Sequence, residues 1–211
     1  MGERMSVCQE APTEEVLSLA EGVLRGGGVI VVPTDSVYGI GCAATPSNPA
    51  HGRIFEIKRR ERSQTLPWLV ADAADLERYG RELPAWARSL ALAFWPGALT
   101  LVVRASEAVG GEYMAHDSTV ALRVPDSVLV RELARRVGPL ATTSANTHGQ
   151  AAATSGQDIE ERIAQAADLV LDAGPAPLAV ASTIVSCTGT HPVVLREGAI
   201  PSQVVYEVCG M

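Results

Sequence analysis

Hydrophobic residues recur along this chain with two alternating periodicities, one helical and one extended. The first helical stretch covers residues 13–25, where apolar side chains return every three or four positions and a run of glycines follows. Its apolar face comprises Val16, Leu17, Ala20, Val23 and Leu24. Residues 29–32 then form a short β-branched run that stops at Pro33, which is typical of a buried strand. A polar loop, residues 33–39, follows that strand.

The same alternation continues to the end of the chain. Further helices are predicted at 47–58, 72–79, 84–94, 127–137 and 158–166. Further strands are predicted at 68–70, 99–104, 119–124, 140–143, 169–172, 183–185 and 193–195. No repeat, low-complexity tract or linker divides the sequence. We therefore predict a single α/β domain spanning 1–211, with a twisted, open, mixed sheet flanked by helices.

Composition agrees with a globular protein of this size. The chain has 211 residues, of which 47% are hydrophobic and 19% charged. It contains no apolar stretch of the ~20 residues that a membrane span needs, and its first residues form no apolar signal region. The four cysteines lack the spacing of a zinc site. We expect a cytoplasmic protein with reduced thiols and no membrane association.

Charge is distributed unevenly. The formal net charge of -7 argues against general coating of a nucleic acid, because phosphate backbones are bound by positive surfaces. The single lysine, Lys58, nevertheless lies in the densest basic run, residues 58–62, and every other basic side chain is arginine. A compact ammonium beside guanidinium groups suits a polyphosphate ligand. A solvated helix face is the alternative interpretation of that run.

Several predicted strands end in loops that carry hydroxyl or basic side chains. Ligands collect at such loops in open α/β sheets, although Ser, Thr, Asn and Gly are also ordinary turn residues. The loops are 34–39, 118–123, 142–146, 182–183 and 196–198, together with the basic run. The P-loop and dinucleotide-binding glycine motifs are absent, as is the nucleophile elbow of hydrolases. These absences exclude the standard nucleotide cradles but not an anion site of another design.

Blocks of sequence in these loops resemble the YrdC-like family, the threonylcarbamoyl-AMP synthases. The blocks are 33–41 (PTDSVYGIG), 57–60 (IKRR), 94–100 (FWPGALT), 119–125 (TVALRVP), 144–146 (SAN), 182–185 (STIV) and 196–200 (REGAI). They occur in the family's order from about residue 27 to residue 200. The resemblance implies a twisted α/β sheet with a concave, basic cavity. Longer relatives carry an additional C-terminal domain, which we do not expect in this chain.

The resemblance also implies an activity. The enzyme would be a nucleotidyltransferase that joins L-threonine, bicarbonate and ATP into threonylcarbamoyl-AMP and releases pyrophosphate. The product would supply the N6-threonylcarbamoyl group of adenosine at tRNA position 37, through downstream transferase proteins. Mg²⁺ would accompany ATP, held mostly by the nucleotide and water, so no dedicated protein metal site is expected.

Individual roles follow from matching positions. Lys58 and Arg60 match a basic pair of the family. The resemblance implies that this pair contacts the ATP phosphates and takes part in catalysis, with Arg62 as an additional cation. The resemblance implies that the nucleotide also contacts Ser144, Asn146 and Arg196. For the threonine substrate, it implies contacts with Thr34, Thr119, Arg123, Thr143 and Ser182.

The sequence departs from the family's pattern at several positions. They are Ser36, Glu61, Thr65, Thr147, His148 and Ser186. Glu61 bears most on function, because a carboxylate beside phosphates is repulsive unless it is paired. Two alternatives therefore stay open: a paralogue that adenylates a different carbamoyl or acyl substrate, and a non-catalytic RNA-binding module. The acidic charge and an aromatic content of 4% count against RNA as the main ligand, and leave weak tRNA binding possible.

Overall fold

A computed structural model describes residues 3–59, 61 and 65–211. The helices are α1 (Glu14–Arg25), α2 (Pro49–Lys58), α3 (Asp75–Tyr79), α4 (Ala85–Phe94), α5 (Val128–Val137), α6 (Glu161–Ala166) and α7 (Ser202–Val208). The strands are β1 (Glu3–Ser6), β2 (Ile30–Val32), β3 (Gly39–Ala43), β4 (Trp68–Leu69), β5 (Gly80–Arg81), β6 (Leu99–Ala105), β7 (Thr119–Arg123), β8 (Leu140–Ser144), β9 (Leu169–Asp172), β10 (Thr183–Ser186) and β11 (Val193–Arg196). Within the described ranges, no helix is both long and apolar enough to cross a membrane.

One mixed sheet contains all of these strands, in the order β1-β9-β2-β3-β8-β4-β7-β6-β10-β11, with β5 paired to β6. Four pairs are parallel: β1 with β9, β2 with β9, β4 with β7, and β6 with β10. The remaining pairs are antiparallel. The prediction of a mixed sheet flanked by helices is confirmed.

The two halves of the sheet are covered differently. In the first half, alternate residues of β2 point to opposite cores: Ile30 and Val32 pack with α1 and α5, whereas Val31 packs with the cluster that includes α2. In the second half, Leu99, Leu101 and Val103 of β6 pack into the core shared with α4. The residues between them, Thr100 and Val102, line a cavity. Strand alternation thus places a polar concavity on one face and a packed core on the other.

Each predicted helix and strand is present, some with shorter bounds, and β1, β3, β5 and α7 are additional to them. Strand β3 was not predicted because its sequence, GIGCA, carries little of the β-branched content of a strand. Its glycines have a packing reason. A Cβ on Gly41 would lie 2.5 Å from Thr142 Oγ1 and 2.8 Å from the Ala141 carbonyl oxygen. Close approach of Thr142 on the neighbouring strand β8 therefore selects glycine in β3, and this weakens the sequence signal for a strand.

The start of α2 is fixed by the side chain of its N-cap residue, Asn48. Asn48 Oδ1 accepts a hydrogen bond from the Ala50 amide (2.9 Å), and Asn48 Nδ2 donates to the Ala43 carbonyl at the end of β3 (2.7 Å). The helix ends at Lys58, followed by Arg59 in the left-handed conformation at φ 53°. This framework brings Lys58 to the end of β8.

Candidate functional site

The cavity lies on the face of the sheet opposite α4 and has a volume of about 460 Å³. Its floor is formed by alternate residues of neighbouring strands, which share one face because side chains alternate along a strand. These floor residues are Thr100, Val102, Ala121, Arg123, Thr142, Ser144, Ser182 and Ile184. Loops at 34–38 and 150–152 and the end of β11 form its walls. The result is a concavity rich in hydroxyl groups, with the guanidinium groups of Arg123 and Arg196 among its lining.

The loop after β2 is held in shape by its own hydroxyl groups. Thr34 Oγ1 donates to the Val37 carbonyl oxygen (2.7 Å), accepts from the Ser36 amide (3.2 Å) and shares a hydrogen bond with Ser36 Oγ (3.1 Å). The Tyr38 amide then bonds the Ala153 carbonyl oxygen (2.9 Å). Both hydroxyl side chains are buried and line the cavity. The loop therefore has a shape defined by its own hydrogen bonds, and it presents polar atoms to the cavity.

Arg123 is anchored at three nitrogens beneath this wall. Its Nη2 donates to Asp35 Oδ1 (2.5 Å), its Nη1 to Ser36 Oγ (2.7 Å) and its Nε to the Gly97 carbonyl oxygen (2.9 Å). The side chains of Asp35 and Arg123 are each only 7% exposed. Burial lowers the pKa of Arg123 and Asp35 opposes that shift, but arginine stays protonated in proteins. The pair fixes the direction of the guanidinium group in the cavity.

On the opposite side of the floor, Arg196 makes several hydrogen bonds to Ser182. Its Nη2 and Nε both donate to the Ser182 carbonyl oxygen (2.8 and 3.2 Å), and Nη2 also reaches Ser182 Oγ (3.2 Å). Ser182 Oγ in turn shares a hydrogen bond of 2.9 Å with Thr100 Oγ1. Partial burial lowers the pKa of Arg196. Arg196 and Arg123 are close enough for their charges to interact unfavourably, which favours an anion between them.

The turn after β8 contributes the remaining polar wall. Ser144 and Asn146 line the cavity, and the main-chain carbonyl oxygens of both accept from Lys58 Nζ at 2.5 Å. Lys58 is 2% exposed, and its own carbonyl oxygen accepts from the His148 amide (3.0 Å). Lys58 thus lies behind the turn and holds it from both sides.

Most of the predicted site residues are brought together. Those that line the cavity are Thr34, Arg123, Thr143, Ser144, Asn146, Ser182 and Arg196. Lys58 contacts the same wall from behind. Thr119 lies outside the cavity, because it is four residues before Arg123 on β7 and its hydroxyl donates to Asp117 Oδ1 (2.6 Å). Arg60 and Arg62 lie outside the described residues, so their predicted roles stay predictions.

Several lining residues were not among the predicted site residues, and some of these carry polar groups. Ser36, Thr100 and Gln150 contribute polar groups to the cavity. A signal for Thr100 exists in the sequence, because it interrupts the apolar run of a predicted strand between Leu99 and Leu101. Gln150 carries no such signal, since it lies in a turn whose sequence shows no periodicity.

Comparison with known proteins decides the family. The profile of the Sua5/YciO/YrdC family, described as telomere recombination, matches residues 22–198. The chain belongs to this family. The match contains every described cavity-lining residue of the site.

Individual members of the Sua5/YciO/YrdC family are similar over most of the chain. A relative from Mycobacterium tuberculosis is 36% identical over 91% of this chain and 88% of its own length. The threonylcarbamoyl-AMP synthase of Pyrococcus abyssi is 35% identical over 96% of this chain and 59% of its own length.

A solved member of the family has the same fold. The crystal structure of P. abyssi Sua5 complexed with L-threonine superposes with a TM-score of 0.91 at 34% identity. It matches 98% of this chain, whereas this chain spans 61% of that one. The likeness therefore concerns one part of the longer relative.

Proposed function

We propose that this protein is a threonylcarbamoyl-AMP synthase, forming threonylcarbamoyl-AMP and pyrophosphate from L-threonine, bicarbonate and ATP. The observation that carries the proposal is the single cavity that joins Thr34, Arg123 and Ser182 to the turn bearing Ser144 and Asn146. A hydroxyl- and guanidinium-lined floor suits an amino acid with a carboxylate and a hydroxyl group. The adjoining turn, backed by a lysine ammonium, suits a nucleotide.

The reaction needs positioning more than an ionised nucleophile. The amine of threonine and bicarbonate form a carbamate with loss of water. A carbamate oxygen then attacks the α-phosphorus of ATP, and the bond to pyrophosphate breaks. Carboxylate, carbamate and triphosphate are mutually repelling anions. The chain brings the cations Arg123, Arg196 and Lys58 to this region, despite its net acidity, and these would offset that repulsion.

Each of the three described cations at the site has its own proposed role. Arg123, fixed by Asp35 and Ser36, would orient the threonine carboxylate. Arg196, held on Ser182, would lie between the acyl and phosphate groups and stabilise charge on the phosphoryl oxygens. Lys58 would act at the phosphates through its proximity to the Ser144–Asn146 turn. Arg60 and Arg62 keep their predicted contacts with ATP.

Mg²⁺ is proposed as a companion of ATP. Among the described lining residues the polar groups are hydroxyls, amides and guanidiniums, a donor set that fits a metal ligated mainly by phosphate oxygens and water. In that position the ion would reduce the negative charge that the attacking carbamate meets. The described parts of the chain contain no cluster of three or more His, Cys, Asp or Glu side chains placed to hold a metal.

The physiological setting follows from the activity. The adenylate would be passed to proteins that transfer the threonylcarbamoyl group to adenosine at tRNA position 37, in the cytoplasm. Direct contact with tRNA is not required by the proposal, since the cavity is sized for small molecules.

The deciding experiment is incubation of the purified protein with ATP, Mg²⁺, bicarbonate and L-threonine, with products identified by mass spectrometry. We expect a threonylcarbamoyl-AMP peak that disappears when threonine or bicarbonate is omitted. ATP binding without this product would indicate a paralogue acting on another carbamoyl or acyl substrate. Absence of both, with salt-dependent RNA binding, would instead support the RNA-binding alternative.

A further inference from the structure

Hydrogen bonds within the turn after β8 define its shape. Asn146 Nδ2 donates to the carbonyl oxygens of Thr147 (2.9 Å) and Gln150 (2.8 Å), and the Gln150 amide returns to the Thr147 carbonyl (3.0 Å). Gly149 completes the turn at φ +84°. Asn146 therefore spends its amide donors on the main chain of its own turn, which fixes the direction of its side chain.

One carboxylate outside the cavity lining accepts hydrogen bonds from this turn. Glu160, the residue before α6, accepts from the Thr147 amide through Oε1 (2.6 Å) and from Thr147 Oγ1 through Oε2 (2.5 Å). Arg162 Nη2 donates to the same hydroxyl oxygen (2.7 Å). A carboxylate that accepts two hydrogen bonds from one residue defines that residue's position and orientation, as a bidentate contact does.

Charge supports the same arrangement. The two hydrogen bonds from Thr147 lower the pKa of Glu160, and the positive charges of Arg162 and Lys58 lower it further. Glu160 is therefore ionised at neutral pH and attracts Lys58. The turn that carries Asn146 is thus held by a cation, which binds the carbonyl oxygens of Ser144 and Asn146, and by an anion, which binds Thr147.

We propose that Glu160 is a positioning residue for nucleotide binding, acting through Thr147 to hold Asn146 and Ser144 in the cavity wall. Among the described residues, the hydrogen bonds of Glu160 go to Thr147, which does not line the cavity, so its effect would pass through the turn. Loss of these hydrogen bonds would let the turn reorient. Small displacements of the groups that bind a ligand weaken its binding. The ligand's identity as ATP rests on the proposed function.

The variants Glu160→Gln and Thr147→Val each remove one side of the contact, and Thr147→Ser retains it. Glu161→Gln is the matched control, because Glu161 is exposed, begins the same helix and contacts Gln165 instead. The measurements are calorimetric Kd values for ATP with Mg²⁺ and for L-threonine, each alone, and the Tm.

We expect Glu160→Gln and Thr147→Val each to weaken ATP binding by about tenfold, and the double variant to be no weaker than the worse single one. Thr147→Ser and Glu161→Gln should bind ATP like the wild type, and threonine affinity should change less than about twofold in every variant. Unchanged ATP affinity in Glu160→Gln would overturn the proposal. Equal losses for ATP and threonine with a lowered Tm would do the same, since they indicate general destabilisation.

The two proposals can fail separately. A wild-type protein that forms no threonylcarbamoyl-AMP, but whose ATP affinities divide among the variants as expected, would refute the synthase activity and support the role of Glu160. A wild-type protein that binds no ATP would overturn both.

Discussion

Two cations lie at the same cavity but have different anchoring partners. Arg123 lines the cavity, and Lys58 contacts its wall from behind. Arg123 is paired with the buried carboxylate of Asp35, whereas Lys58 donates to the main-chain carbonyl oxygens of Ser144 and Asn146. The buried carboxylate of Asp35 fixes the direction of the guanidinium group, while the two carbonyl dipoles orient the ammonium group toward the turn after β8. Arg123 is thus suited to orient a small carboxylate, and Lys58 to support binding of a polyphosphate.

The largest expected effect comes from breaking the Arg123 anchor. Asp35→Ala would leave a buried guanidinium without its counter-charge, so we expect a loss of about 3–5 kcal/mol in the free energy of unfolding, measured in urea. Asp126→Ala is the control, because Asp126 is exposed and only its amide contacts Asp35. Stability within about 1 kcal/mol of wild type in Asp35→Ala would show that the ion pair is not what anchors Arg123.

Breaking the Lys58 anchor should affect activity more than folding. Lys58→Met keeps most of the buried volume but removes the ammonium, so we expect kcat/KM for ATP to fall by at least about 100-fold. The carbonyl oxygens left without their donor should lower stability by about 1–3 kcal/mol. Arg59→Gln serves as control for charge, since Arg59 is exposed. A folded Lys58→Met protein with near wild-type turnover would refute the assignment.

Arg196 is anchored in a third way, since two of its nitrogens donate to the carbonyl oxygen of Ser182. Arg196→Lys keeps the charge but cannot place two nitrogens on the Ser182 carbonyl oxygen. We expect about a tenfold loss of kcat/KM, with stability unchanged within about 0.5 kcal/mol. Arg135→Lys on α5 is the surface control. Wild-type kinetics in Arg196→Lys would mean that charge alone matters at this position.

The smallest effect concerns the sheet behind the cavity. Burial raises the pKa of Cys42 on β3 and of Cys187 after β10 to about 12, so almost none of either thiol is ionised near neutral pH. Cys8 is exposed. We expect iodoacetamide to modify Cys8 first and to leave Cys42 and Cys187 unmodified until the protein unfolds, as followed by peptide mass spectrometry. Early labelling of Cys42 would indicate that the sheet beneath the turn opens readily.

The sequence predicts the layers of this fold better than its site. Long helices such as α1 and α5 have strong periodicity and clear caps, and β6 and β9 are distinctly apolar. Strand β3 was not predicted because close packing selects glycine there, which removes the residues that identify a strand.

Site residues could be found by their sequence blocks, but not their partners. Nothing local in the sequence shows that Asp35 pairs with Arg123 or that Glu160 grips Thr147, because these contacts join segments 88 and 13 residues apart. Thr119 illustrates the converse. It belongs to a matching block, yet its place on β7 puts it beyond the cavity.

One cavity is proposed to hold both substrates, with threonine at the Arg123 side and the phosphates at the Ser144–Asn146 turn. The most direct test is a crystal structure with L-threonine and a non-hydrolysable ATP analogue. We predict the threonine carboxylate at Arg123, near Thr34, and the triphosphate between Arg196 and the turn that Lys58 supports. Phosphates bound at Arg123, or either ligand bound outside the cavity, would contradict the account.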